Sequence, residues 1–266
     1  MREKSYTVES VLRALNILEF LAQQGGSSRV TDIAQAIGCS KNTAFRLLQT
    51  LRERGFIRQA DDASYELTYK LLHLGESVLR NSDLHEVARP YLQEFVEQFG
   101  ETINLGILDG IEVVYVARVL GTLPYHTSST IGSRDKAHST ALGKAILAFS
   151  PQATVSSVLA AGLPAQTQHT ITSPERLLAE LSATAARGYS IDNQENVLGI
   201  ICVGAPIFDR RSDVVGAIST SALHVRLTDD RIPVVAEKLI STAAVISQRL
   251  GYSAASVRRQ GNHHRA

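Results

Sequence analysis

A chain of 266 residues with 44% hydrophobic and 20% charged residues lies in the ordinary globular range, long enough for one large or two ordinary domains. Its net charge of +1 singles out no partner. The two cysteines, Cys39 and Cys202, form no Cys-x-x-Cys pair, which argues against a zinc module or a disulfide framework and points to a reducing, cytoplasmic setting. The start, Met1 to Tyr6, lacks the apolar run of a signal peptide, and no stretch has the length of a membrane span. No internal repeat or low-complexity tract is visible.

In chain order, residues 8–24 read as a helix, with Val11, Leu12, Leu15, Leu18 and Leu21 at helical spacing. Gly25-Gly26-Ser27-Ser28 ends it and offers an N-cap to the next helix, Val30 to Ile37. Gly38-Cys39-Ser40 is a tight turn, with Gly38 where a positive φ is needed. Lys41 to Arg54 is a third helix capped by Ser40 and stopped by Gly55. Two short strands, Phe56–Arg58 and Ser64–Leu67, flank the polar turn Ala60 to Ala63. Three helices followed by a hairpin is the order of a winged helix-turn-helix.

Ala34 is small where the third helix must approach the second. Ala44, Leu47, Leu48 and Leu51 mark the apolar face of the third helix. Lys41, Asn42, Thr43, Arg46, Gln49 and Thr50 are left outside, and these types bond base edges and phosphates. Because a recognition helix presents its N-terminal half to the major groove, Lys41, Asn42, Thr43 and Arg46 are the leading DNA-binding candidates, with Gln49 and Thr50 next. Arg58, together with Lys41 and Ser27 at helix starts, is a candidate for phosphate contacts. Between Arg29 and Arg58 six basic residues stand against Asp32 and Glu53, a balance hidden in the whole-chain charge. The plainer reading is a three-helix scaffold with a solvated face.

Leu67 to Arg80 reads as a linker helix, and Asn81-Ser82-Asp83 as a boundary that caps a helix from Leu84 to Phe99. Strands Thr102–Leu108 and Ile111–Val119 follow, joined by the hairpin signal Asp109-Gly110. After a polar stretch from Gly121 to Lys136, helices are expected over Ser139–Phe149, Pro151–Ala161 and Pro174–Arg187. Strands are expected around Tyr189–Asp192, Ile200–Phe208 and Val214–Ser221, then a helix from Arg231 to Leu250. The expected fold is α+β: a winged helix-turn-helix domain (1–68), a linker helix (69–83), a second domain of helices around a largely antiparallel sheet (84–252), and a polar, disordered tail (253–266) whose His263-His264 pair is no metal site.

The second domain is large enough to be a sensor. Asp192 ends a strand before an acidic turn, and Cys202 follows ten residues later inside an apolar strand. Ser219 and Ser221 share one side of their strand. Free N–H groups where a helix starts, near His138 to Gly143, suit a carboxylate. Two hydroxyls, a thiol, an acid and a helix start can line a small polar pocket. Each residue also has a plainer role: turn former, core thiol, backbone partner or N-cap. Enzyme signatures fail. The Gly143-Lys144 pair lacks the other residues of a P-loop, no Gly-x-Ser-x-Gly occurs, and Cys202 lies between Ile201 and Val203 without an electropositive setting. No catalytic residue, metal site or cofactor is expected.

Several segments, in order, resemble the IclR family of bacterial transcriptional regulators. They are Ser10 to Leu15, Ser40-x-x-Thr43-x-x-Arg46-Leu47-Leu48-x-x-Leu51, Tyr65-x-Leu67 ahead of Leu74-Gly75, His138 to Ala145, Gly188-Tyr189-x-x-Asp192, Cys202 to Asp209, and Ala217-Ile218-Ser219-x-Ser221. The resemblance runs from about Val8 to about Leu250. It implies a winged helix-turn-helix, a linker helix and a GAF-like effector-binding domain. It also implies homodimers or dimers of dimers on palindromic operator DNA, and a small organic or aromatic acid as effector, with either sign of regulation. By position, the ligand site falls on the backbone N–H groups of Ala141 and Leu142 and on Asp192, Cys202, Ser219 and Ser221. Ala137 stands where the family has a larger apolar residue and Ile201 where it has Arg, and both are expected to alter the pocket or its rim. The rival expectation is a small-acid hydrolase or isomerase with a DNA-binding-like adaptor, and a third is a plain interaction scaffold.

Overall fold

A computed structural model describes residues 7–79, 83–124 and 129–253. The boundary expected at Asn81-Ser82 and the tail from residue 254 onward lie outside the described residues. Two compact units make up the chain, Met1–Asn81 and Ser82–Ala266.

In the first unit, α1 (Glu9–Gln24), α2 (Val30–Ala36) and α3 (Lys41–Glu53) precede a hairpin of β1 (Ile57–Gln59) and β2 (Tyr65–Leu67), then α4 (Lys70–Leu79). Ile17, Leu21, Ile33, Leu48, Leu51, Ile57 and Tyr65 form its core. Gly38 adopts φ +65°, the left-handed turn that lets the chain reverse between α2 and α3. Ser40 caps α3, its Oγ accepting from the Thr43 N–H at 3.1 Å. The expected N-cap of α2 is corrected. Ser28 exchanges both backbone hydrogen bonds with Tyr65, adding a bridge to the hairpin, so Arg29 rather than a serine caps α2, which starts at Val30 as expected. Ser27 therefore sits in a loop rather than at a helix start. The apolar spacing of α1 also divides between two faces. Leu21 joins Ile17 in the core, whereas Val11, Leu12 and Leu15, with Val8 before them, remain exposed.

The second unit opens with α5 (Asp83–Phe99), β3 (Thr102–Asp109) and β4 (Glu112–Val119). The β3–β4 hairpin turns at Gly110-Ile111, where Gly110 takes φ +64°. Then come β5 (Arg134–Lys136), α6 (Ala141–Leu147), α7 (Gln152–Ala160), α8 (Pro174–Arg187), β6 (Ser190–Asn193), β7 (Ile200–Phe208), β8 (Val214–Leu223) and α9 (Ile232–Arg249). The strands form one antiparallel sheet in the order β5-β4-β3-β8-β7-β6. Strand β5 falls inside the segment read from sequence only as a polar stretch. Its three residues, Arg134-Asp135-Lys136, are all charged, and an edge strand carries such residues because one side of it meets water.

Both faces of the sheet are covered. On one, Leu92 and Phe95 of α5 and Leu239 and Ile246 of α9 pack on Ile103, Leu105, Val203 and Ile218. On the other, Leu142, Ile146, Leu177 and Leu181 of α6 and α8 pack on Val113 and Ala217. Two glycines set how closely α6 lies. A Cβ on Gly204 would stand 2.8 Å from the Ala141 carbonyl oxygen, and one on Gly143 would stand 2.1 Å from that of Ala137. Such approaches are closed to any side chain; the first presses the start of α6 onto β7, and the second folds the segment before α6 against the helix.

Candidate functional site

The outer face of α3 is the first candidate surface. Lys41, Asn42, Arg46 and Thr50 are exposed on it. Thr50 itself and three other expected contacts are already engaged. The Thr43 hydroxyl shares a 2.9 Å hydrogen bond with Ser40 Oγ in the cap. Thr50 Oγ1 donates to the Arg46 carbonyl at 3.1 Å. Arg58 Nε pairs with Glu66 Oε1 at 2.6 Å across the hairpin. Gln49 is half-buried rather than outward, and its amide donates to the Tyr65 hydroxyl at 3.5 Å. The correction has a geometric cause, since Gln49 follows buried Leu48 and borders the hairpin. Phe45, one residue before Arg46 and 47% exposed, was not singled out, because an aromatic beside an apolar stripe reads as core.

The second candidate is a cavity of about 480 Å³ between α6 and the sheet, a volume suited to a small metabolite. All six residues expected to bind ligand line it: Ala141, Leu142, Asp192, Cys202, Ser219 and Ser221. Register explains the convergence. Asp192 on β6 stands opposite Cys202 on β7, and Cys202 stands opposite Ser221 on β8. Residues opposite one another on neighbouring strands share a face, so three side chains distant in sequence form one row. Ser219 lies two residues along β8 on that same face, opposite Asn104 of β3.

Hydrogen bonding gives the row a direction. Ser221 Oγ accepts from Cys202 Sγ at 3.2 Å and from Asn104 Nδ2 at 3.4 Å, which leaves the serine's own proton to donate. Ser219 Oγ has no hydrogen-bond partner among the described residues. Thr140 caps α6, its Oγ1 accepting from the Gly143 N–H at 3.0 Å. The N–H groups of Ala141 and Leu142, the first two residues of α6, have no acceptor in that turn.

The acids behind the row are perturbed. Burial pushes Asp192 up to about 7, against the pull of Lys144 and of the Glu195 and Asn196 N–H groups, which donate to its Oδ1 at 2.7 and 3.3 Å. Lys144, fully buried on α6, forms an ion pair with Glu195. Burial raises the Glu195 carboxyl as well, and its Oε2 is buried with no hydrogen-bond partner among the described residues. Burial, then neighbouring Asp192, also raises the Cys202 thiol well above its ordinary value. A thiol held protonated is a poor nucleophile, so the geometry suits binding better than covalent chemistry.

Sequence reasoning missed other lining residues, among them Tyr115, Asn196 and Ser133, Arg134 and Asp135 on and beside β5. Their signal was weak, because the cavity reaches them only through strand pairing. The expectation for Ala137 and Ile201 is corrected too. Ala137 is fully buried beneath Gly143, and Ile201 joins the core on the sheet face opposite Cys202. Neither lines the cavity.

Comparison with known proteins follows the same division. Residues 10–61 match the IclR helix-turn-helix domain, and residues 76–248 match the bacterial transcriptional regulator IclR C-terminal family. The HTH-type transcriptional regulator XynR of Escherichia coli is 35% identical over 249 residues, covering 93% of this chain and 99% of its own. The transcriptional repressor IclR of Escherichia coli is 34% identical over 248 residues, covering 92% and 90%. The Thermotoga maritima IclR crystal structure superposes with a TM-score of 0.81 at 35% identity, covering 91% of this chain and 99% of that one. An IclR homologue from Microbacterium hydrocarbonoxydans, solved in complex with 4-hydroxybenzoate, shares the fold (TM-score 0.80, 22% identity, 92% and 100% covered).

Proposed function

We propose a function from one premise: the chain belongs to the IclR family of bacterial transcriptional regulators. It is a DNA-binding transcriptional regulator with an effector-binding domain, not an enzyme, and the hydrolase or isomerase alternative has no support. In our reading residues 1–68 read operator DNA, 69–83 link the domains, and 84–252 bind a small carboxylate-bearing metabolite whose occupancy sets operator affinity.

One observation carries the ligand assignment: the six expected ligand residues all line a single cavity. The carboxylate takes the Ser221 and Ser219 hydroxyls and the Ala141 and Leu142 N–H groups, with Asp192 protonated beside it. Regulation then follows from differential binding, because an acid that favours one arrangement of the assembly shifts operator affinity only by that difference. On DNA, Lys41, Asn42 and Arg46 meet base edges, and Thr43, Gln49, Thr50, Arg58 and Ser27 serve the backbone and the geometry of the helix.

The apolar stripe Val8, Val11, Leu12 and Leu15, 41–61% exposed at helical spacing, supports a homodimer built on α1, from which dimers of dimers assemble. Leu12→Glu is expected to yield monomers in analytical ultracentrifugation, and an unchanged mass removes α1 from the interface. The effector reading is tested by titrating a panel of aliphatic and aromatic carboxylates into the full chain by calorimetry, and into its operator complex by mobility shift. Absence of binding across the panel, or binding unaltered in Ser221→Ala/Asp192→Ala, rejects the acid pocket.

A further inference from the structure

The cavity holds an acceptor that a simple carboxylate, which has no proton to donate, leaves unsatisfied. Asp135 on edge strand β5 lines it together with Asp192. The Tyr115 hydroxyl donates to Asp135 Oδ2 at 2.8 Å. Burial, then the Asp135 charge, pushes the Tyr115 phenol upward, so it stays a neutral donor committed to that bond. Asp135 Oδ1 has no hydrogen-bond or ion-pair partner among the described residues. Arg134, the one cation among the described lining residues, is engaged by Asp109 and Glu112. Lys144 is spent on Glu195.

An apolar tail placed against Asp135 would strip water from a charged oxygen and return nothing, which a binding site penalises strongly. A hydroxyl or amino group at the same place would meet the free carboxylate oxygen and the remaining lone pairs of the Tyr115 oxygen. We propose that the effector is bifunctional: a small acid that carries a second hydrogen-bond donor, a hydroxyl or amine, which Asp135 recognises. Asp135, positioned by Tyr115, is then the specificity-determining residue of the cavity. The inference rests on the acid-pocket reading above and narrows its ligand class.

Its test uses matched pairs of acids that differ in one donor group, 4-hydroxybenzoate with benzoate and both lactate and alanine with propionate, titrated calorimetrically into the full-length protein. The donor-bearing member of a bound pair should bind at least about tenfold more tightly, roughly the worth of one buried hydrogen bond. In Asp135→Ala that ratio should fall to near one through loss of the donor-bearing acid, with the plain acid bound as well as before or better. Asp135→Asn, which keeps an acceptor and the volume, provides a folded comparison: hydroxy acids retain part of their preference and amino acids lose theirs. Acids that bind without regard to the donor, or a preference that survives both variants, overturn the proposal while leaving the acid pocket standing. No binding by any member overturns the acid-pocket reading itself, and this proposal with it.

Discussion

The outer face of α3 and the cavity are both polar surfaces, but they are assembled in opposite ways. On α3 the outward residues come from thirteen consecutive positions, and a 3.6-residue period sorts them from the core. In the cavity the lining residues come from strands, loops and the start of α6, from Tyr115 to Ser221, and strand register aligns the row of Asp192, Cys202 and Ser221. The convex surface needs little internal support, since its side chains face water. The concave one is backed by buried charge: Lys144 and Glu195 sit behind Asp192 where no solvent compensates them. The outer face of α3 can therefore change one residue at a time, whereas the cavity changes as a unit.

That contrast is open to direct attack. The largest effect is expected from Lys144→Met, which leaves Glu195 buried without its partner and should cost about 3–5 kcal/mol. Urea unfolding of the second unit would read it, and restoration by adding Glu195→Leu would show that the pair, not the methylene packing, is responsible. A loss below about 1 kcal/mol would mean that the cavity does not depend on buried charge.

Next comes Arg46→Ala, expected to weaken operator binding by about 1–3 kcal/mol and to relax preference at one base position, with acid binding unchanged. Fluorescence anisotropy on full-length protein measures it. Equal affinity for operator and scrambled DNA in both proteins would remove α3 as the reader.

The pH dependence should be smaller and specific to the cavity. Asp192 is raised to about 7, so a bound carboxylate, which raises it further, takes up a proton on binding. Acid affinity should fall as pH rises through about 7, by at most about tenfold per unit, and Asp192→Asn should flatten the profile. The same sign holds for stability. The folded state keeps a proton that the unfolded chain releases near 3.8, so the contribution is lost as pH climbs from there to about 7. A flat calorimetric profile for the wild-type protein would detach Asp192 from the ligand. The smallest effect belongs to Arg58→Ala, whose exposed pair with Glu66 should be worth under about 1 kcal/mol to thermal stability. A larger loss would show that the hairpin, like the cavity, leans on its charges.

The sequence was legible where local rules govern. The Gly38 turn, the Ser40 cap, the α8 bounds Pro174–Arg187 and the β7 bounds Ile200–Phe208 follow from side-chain chemistry and periodicity within a few neighbours. It misled where a distant partner decides. Tyr65 draws the Ser28 backbone into a bridge and so leaves Arg29 to cap α2, and Gln49 turns toward that same tyrosine. Strand β5 forms only because β4 offers it an edge.

By itself, then, the chain determined its two-part plan, the polar face of α3 and the identity of six cavity residues, because each is encoded by spacing along the backbone or by segments resembling a family. Tertiary structure alone decided that Asp135 and Tyr115 join the cavity, that Ile201 and Ala137 do not, and that Lys144 is buried against Glu195. The reason is physical. Which face a strand residue occupies, and which charges lose their water, depends on register and packing with elements far away in the chain, and no local pattern carries that information.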